Sequence, residues 1–551
     1  MPLSESPRLL PTYSKVACIG TGISAIALGA QLKRWYAFED IQFFERHTTS
    51  AGTWWINSYP GCACDVPSVL YSLSFEQNPA WTKFLPSNTE IRKYSNNIAD
   101  KYDLPKKMSF QCDVERCDWR DDVKRWILTI RDLKTDIVFV HECQVLFSAA
   151  GQLVQPNDCN IPGAETFRGA LFHSARWDHS VSIKDKKVVL IGNGCTATQI
   201  VPAIEKDVKH LTQMIRTNHW IFPSTNIKLS PRFLWCLKHI PFAMALQRFL
   251  LFCILESELQ IFYMTKNGAR ARKVRRERAE SYMRATAPAK YHDMIMPDFE
   301  VGCKRRIIDC GYLESLHSDK ITLTTDHALE IVPEGICTAN GIIEADVIVL
   351  ATGYKTHEFL DPIKIHGRGG VSLTEHWKNF GGPSAYNCTA MSEFPNFFML
   401  LGPNSATGHT SALMASENMI NYALRILKPV FRNQAESVEV RFEAEKSYIH
   451  HMQDELMKRV WSAGCKSWYT RGENKWNDVS YPWSQGHFWF RSLFPTYRDW
   501  TVKKVKATGK IRAISWNYSV VLVAVLLAVG SSSGFRHYIA SLSLSSALNF
   551  A

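Results

Sequence analysis

Val16-Ala-Cys-Ile-Gly20-Thr-Gly22-Ile-Ser-Ala25 and Lys187-Val-Val-Leu-Ile-Gly192-Asn-Gly194-Cys195-Thr196-Ala197 are two copies of one pattern. In each, a short apolar strand runs into a glycine turn and a helical apolar period follows; after the first turn it is Ile26, Leu28 and Leu32. Such glycines let the backbone approach a pyrophosphate seated on the helix N-terminus. A lone match is weak. Two matches, each with its strand before and helix after, predict an α/β protein with two Rossmann-like dinucleotide-binding domains. A third run, Val347 to Leu350 followed by Ala351-Thr-Gly353-Tyr354, has the texture of a buried strand and ends in glycine without opening the full motif.

The residue that ends the second strand of each unit separates the ligands. Glu45 closes Ile41-Gln-Phe-Phe-Glu45, 25 positions after Gly20. A carboxylate there accepts hydrogen bonds from a ribose hydroxyl and repels a 2′-phosphate. Arg216, in Leu211-Thr-Gln-Met-Ile-Arg216-Thr217, stands 24 positions after Gly192 and can pair with a 2′-phosphate. The first site therefore suits FAD and the second NADPH, so a hydride is expected to pass from NADPH to flavin.

Composition agrees with a packed globular chain. Of 551 residues, 46% are apolar and 21% charged, which excludes disordered, collagen-like and small disulfide-framework classes. The net charge of +12 fits anionic ligands such as nucleotide phosphates, or an anionic membrane. The 15 cysteines lack paired CxxC spacing and the N-terminus has no apolar signal region, so reduced cytosolic thiols are expected. No metal site is expected.

Two segments depart from this texture. From Ala513 to Phe535 no residue is charged, and Val520 to Val529 is densely apolar; Lys503, Lys504, Lys506, Lys510 and Arg512 precede it. The length suits a C-terminal membrane anchor with a cytosolic catalytic body, or a buried C-terminal helix and a cytoplasmic enzyme. Leu234 to Tyr263 is apolar but interrupted by Lys238, Arg248, Glu256 and Glu258, which predicts packed helices over a membrane span. The basic run from Lys266 to Arg278 lacks interleaved aromatics and is expected to be a solvated helix face, not a nucleic-acid surface.

Two further stretches are more specific. Gly52-Thr53-Trp54-Trp-Ile-Asn-Ser-Tyr59-Pro60-Gly61-Cys-Ala-Cys-Asp65 resembles a segment of the Baeyer–Villiger monooxygenases, within the flavin-containing monooxygenase family. Phe167-Arg-Gly169-Ala-Leu-Phe-His173-Ser-Ala-Arg-Trp177-Asp178 resembles their fingerprint at every fixed position, just before the second glycine turn. The resemblance covers roughly residues 15 to 410. It implies a flavin peroxide, formed from FAD, NADPH and oxygen, that inserts an oxygen beside a ketone. It implies that Arg305, in Lys304-Arg305, is the catalytic arginine and that Asp65 orients it. It places Thr53, Trp54, Asp65, Val66 and Tyr71 near FAD, Cys195, Thr196, Arg216 and Thr217 near NADP, and Trp468 on the nicotinamide side. A guanidinium is permanently charged, as stabilising a peroxide anion and an adduct oxyanion requires. His173 reads as a hinge or packing residue more than an acid or base.

These readings divide the chain into a first FAD-binding part (1–150), an NADP-binding domain with a helical insertion at about 230–300 (151–345), a second FAD-binding part with the substrate pocket (346–510) and a hydrophobic tail (511–551). Past residue 470, Glu473-Asn-Lys-Trp-Asn-Asp-Val-Ser-Tyr-Pro-Trp departs from the family's spacing. That leaves open hydroxylation, epoxidation or heteroatom oxidation in place of ketone chemistry. The aromatics Trp461, Trp468, Tyr469, Trp476, Tyr481 and Trp483 suit either a bulky apolar substrate or core packing. The resemblance further implies a fungal type that tailors secondary metabolites. A membrane-tethered NADPH oxidase or reductase is the remoter alternative, since no CxxC relay is present.

Overall fold

The computed structural model describes residues 12–505, apart from residues 225, 466 and 472–474. The expected anchor around Val520 to Val529 lies outside the described residues. The first apolar run forms β1 (Thr12–Ile19), whose second half is buried on both faces, as a central strand requires. Gly20 then turns at φ +96°, where an added Cβ would meet the Ala149 carbonyl oxygen at 2.7 Å, so glycine is required. Helix α1 (Ile23–Tyr36) buries every residue from Ile23 to Leu32. It returns to β2 (Ile41–Glu45), parallel to β1 with Val16 opposite Ile41.

Helices α2 (Thr53–Ile56) and α3 (Asn88–Lys101) lead to β3 (Met108–Phe110), then to an antiparallel meander of β4 (Cys112–Arg120), β5 (Arg125–Asp132) and β6 (Val138–Ser148). The sheet order is β4-β5-β6-β1-β2-β3; Lys364–His366 on β4 and Phe397–Met399 on β6 complete eight strands. A second, wholly parallel sheet contains β7 (Ala170–His173), β8 (Lys187–Ile191) and, after α4 (Cys195–Ile204), β9 (His210–Met214). Its order is Ile321–Thr324, β9, β8, Val347–Leu350, β7. The third glycine-ended run is therefore a strand of this second sheet.

The helical stretch is α5 (Pro231–His239), α6 (Ala243–Ser257) and α7 (Lys266–Thr286). One expectation changes here. The basic face of α7 is not simply solvated: Arg272 is buried and pairs with Glu300 at 2.9 Å, and Arg275 pairs with Glu258. The apolar stretch forms packed helices, as expected: Leu251, Phe252 and Leu255 of α6 lie against the core, although α6 has no fully buried residue. Among the described residues no single helix is long and apolar enough to cross a membrane; α5 and residues 243–262 pass that test only as a pair bent by 109°. The C-terminal aromatics resolve mainly as packing. Trp461, Tyr469 and Tyr481 are core residues, Trp476 and Trp483 pack against them, and Trp468 is 40% exposed.

The two nucleotide-fold bodies meet through the Tyr59-Pro60-Gly61 turn. The Tyr59 hydroxyl donates to Gln199 Oε1 at 2.9 Å, and Gln199 Nε2 donates to the Ala63 carbonyl at 3.1 Å. Gly61 has φ +81°, and a Cβ there would stand 2.3 Å from the Gln199 carbonyl oxygen. Gly61→Ala is expected to destabilise the protein by about 1–3 kcal/mol through strain at this contact, read as a lowered midpoint in thermal or urea unfolding.

Two histidines serve the sheets as neutral groups. Burial lowers the pKa values of His141 and His173 to about 4. His141 shares hydrogen bonds with Thr12 and Ser14 of β1, and His173 Nδ1 accepts from the Ala175 N–H at 3.0 Å. Their folded values lie below the ordinary 6.5, so the unfolded chain binds more protons between pH 6.5 and 4. Their contribution is complete above pH 6.5 and is lost as the pH falls to about 4. The urea midpoint should drop across that window, and His173→Gln should flatten the slope by up to about 1.4 kcal/mol per pH unit.

Candidate active site

A cleft of about 2230 Å³ opens between the two sheets. Both helices that follow the glycine turns start on glycine, Gly22 for α1 and Gly194 for α4, with no side chain capping them. Their first-turn N–H groups are thus left for an anion. A Cβ on Gly194 would meet nothing within 4 Å, so the second turn has room for a ligand. Ala25 and Ala197 are fully buried, which permits the close helix–strand approach of a dinucleotide fold. Both turns therefore fit a dinucleotide pyrophosphate.

Glu45 braces its own turn. One carboxylate oxygen accepts from Thr21 N–H at 2.9 Å and Thr21 Oγ1 at 3.0 Å, and the other from His47 N–H at 3.0 Å. Thr53, Trp54, Asp65, Val66 and Tyr71 line one wall of the cleft; Trp54 Nε1 donates to the Tyr71 hydroxyl at 3.0 Å. Gly192, Gly194, Cys195, Thr196, Arg216 and Thr217 line the other. Burial pushes the Cys195 thiol up to about 11, so it is a neutral group at the helix start and no nucleophile. Gly20, Gly22, Ala25, Glu45 and Ala197 are not among the residues that line this cleft.

Arg305 and Asp65, 240 residues apart, meet at 2.6 Å between Nη2 and Oδ2. Both side chains are a little over a quarter exposed, towards the cleft. The Asp65 carboxylate outweighs burial and raises the guanidinium pKa still further, so Arg305 is charged at every working pH. Its Nη1 reaches the Gly408 carbonyl at 3.5 Å, and the buried Tyr469 hydroxyl lies beside it. Trp468 lines the same cleft, its ring 4.5 Å from that of Tyr469.

The residues around Arg305 hold what the sequence reading missed. Burial lowers the Lys304 pKa, opposed by Asp298 and reinforced by Arg216; Lys304 and Arg216 both line the cleft, two cations beside the second glycine turn's residues. Cys303 is disulfide-bonded to Cys465, with Cα atoms 6.3 Å apart, which corrects the expectation of wholly reduced thiols. No spacing signal could have paired cysteines 162 positions apart. Lys304 was legible, since it neighbours the arginine that the motif singles out. No group of His, Cys, Asp and Glu among the described residues is arranged to hold a metal.

Comparison with known proteins agrees with this geometry. A family model for flavin-binding monooxygenase-like proteins matches residues 14–276. A Baeyer–Villiger monooxygenase of Pseudomonas aeruginosa is 32% identical over 484 residues, covering 87% of this chain and 89% of that protein. The FAD-binding monooxygenase ktnD of Aspergillus niger is 32% identical over 481 residues, covering 84% and 78%. A closed crystal structure of cyclohexanone monooxygenase shares the fold with a TM-score of 0.80 at 22% identity, over 90% of this chain and all of that one. Oxidized steroid monooxygenase bound to NADP gives 0.78 at 23% identity, over the same shares. The chain belongs to the flavin-binding monooxygenase-like family, among its Baeyer–Villiger and fungal FAD-binding members.

Proposed function

We infer that this FAD-dependent monooxygenase uses NADPH and molecular oxygen to insert an oxygen atom beside the carbonyl of an apolar ketone. The observation that carries the reading is a guanidinium fixed by a carboxylate inside the cleft. The Gly20 turn and the wall from Thr53 to Tyr71 would hold FAD; the Gly192 turn, Thr196, Arg216 and Lys304 would hold NADPH. FAD reduced by NADPH supplies the activation of oxygen. Everything else falls to the chain. Asp65 holds Arg305 in place and offsets its burial. Arg305 then stabilises negative charge as it develops on the ketone oxygen, without having to reorganise. A permanent cation favours this anionic chemistry over transfer of an electrophilic oxygen, which needs no fixed positive partner. Trp468 and Tyr469 place apolar surface beside the guanidinium, which limits water there.

The domain limits drawn from the sequence and the role of each site residue belong to this reading. So does attachment to a membrane through residues 513–535, supported by their uncharged composition and the basic run before them, with the body on the cytosolic side. Tailoring of a secondary metabolite belongs to this reading as well.

Arg305→Ala should retain FAD and still consume NADPH, while oxygenated product falls by on the order of 100- to 1,000-fold. Product analysis with labelled oxygen gas and a ketone panel reads this, and wild-type yields would remove Arg305 from the chemistry. Arg216→Ala and Lys304→Ala should each raise the KM for NADPH by about tenfold and leave that for NADH nearly unchanged, as loss of a charged hydrogen bond to a 2′-phosphate requires.

A further inference from the structure

The reaction makes no use of the outer surface of α5 and α6. Helix α6 contains two charged residues, Arg248 and Glu256, and both turn inward. Arg248 Nη1 donates to the carbonyls of Val69 and Ser72, at 2.5 and 3.0 Å. Glu256 Oε1 accepts from His409 Nε2 at 2.9 Å and from Gln485 N–H at 3.0 Å. What remains outside is apolar. Phe242 at the start of the helix is 86% exposed, and Leu246, Phe249, Leu250 and Ile254 are each more than half exposed. On α5, Trp235 is 60% exposed. A helix facing water carries its charges outward; this one turns both inward, packs Leu251, Phe252 and Leu255 on the core, and leaves apolar side chains on its outer face as well.

Length and charge say what covers this face. At about 1.5 Å per residue, α6 is shorter than the roughly 30 Å of a bilayer's hydrocarbon core. The 109° bend to α5 breaks the pair further, so it suits lying in an interface and not crossing one. No Asp or Glu occurs between Asp207 and Glu256, while Lys228, Arg232 and Lys238 are exposed beside the apolar residues. A second copy docked here about a two-fold axis would bring these cations towards their own images. Anionic headgroups would neutralise them.

We propose that the α5–α6 pair docks the folded body onto an anionic lipid surface, with Phe242, Leu246, Phe249, Leu250 and Ile254 immersed below the headgroups and Lys228, Arg232 and Lys238 among them. This contact is made by the body itself and does not depend on the tail.

The test uses the full-length FAD-loaded protein with vesicles of phosphatidylcholine and phosphatidylserine that carry a photoactivatable lipid. Cross-links are mapped by peptide mass spectrometry. They are expected within residues 231–257. Phe242→Asp/Phe249→Asp should lower them by about tenfold or more at unchanged FAD content, because two charges then face hydrocarbon. Arg232→Glu/Lys238→Glu, which leaves every apolar side chain in place, should lower them on these vesicles. Cross-links confined to residues after 505 would overturn the proposal, as would equal labelling of the wild type and both variants. So would a wild-type dimer in sedimentation that Phe242→Asp/Phe249→Asp converts to monomer, because the face would then belong to a second copy.

Discussion

The ion pair of Asp65 with Arg305 is the contact on which the site depends. It joins the segment after α2, inside the first nucleotide body, to a segment that follows β9 and the helical stretch, partway through the second. Its neighbours extend the same junction. Cys303 bonds Cys465, Arg305 holds Asp65, and Arg306 pairs with Glu258, while Lys304 lines the same cleft as Arg216. Cys303, Arg305 and Arg306 thus tie this short segment to three distant parts of the chain. Removing one partner of a half-buried ion pair leaves the other charge uncompensated, which costs more than the pair contributes when intact. The segment is therefore constrained by its neighbourhood as much as by its chemistry.

Local patterns made most of the fold legible. A strand, a glycine turn and a helix are written within about twenty consecutive residues, and each turn is dictated by a backbone contact, as Gly20 shows against the Ala149 carbonyl. The candidate site was legible where a motif fixed its spacing, at Asp65 and Arg305. Features that arise from tertiary meetings were not. The Cys303–Cys465 bond, the burial of Arg272 and the place of Lys304 on the same cleft as Arg216 all depend on which distant segments pack together.

Helix α6 shows why charge counting along a sequence can mislead. Its two charged residues predicted an ordinary packed helix, because interrupted apolar runs are usually surface helices with their charges in water. Here each charge is satisfied inside the protein by partners far away in sequence, the carbonyls of Val69 and Ser72 for Arg248 and His409 for Glu256. Periodicity fixes which residues share a face. Only the tertiary partners decide which face turns inward.

The arginines between α7 and the cleft have a consequence for kinetics. Burial would raise the Glu258 carboxyl pKa, yet Arg275 and Arg306 together hold it below its ordinary value. Glu300 likewise answers both Arg272 and Arg276, and Glu300 and Arg276 lie on the cleft wall. Two carboxylates shared among four guanidiniums leave that cluster with a positive surplus. A dinucleotide carrying several negative charges meets this field before it meets any specific partner. Coenzyme capture is then a steered encounter, and added salt slows the arrival of the coenzyme much more than it hastens its departure.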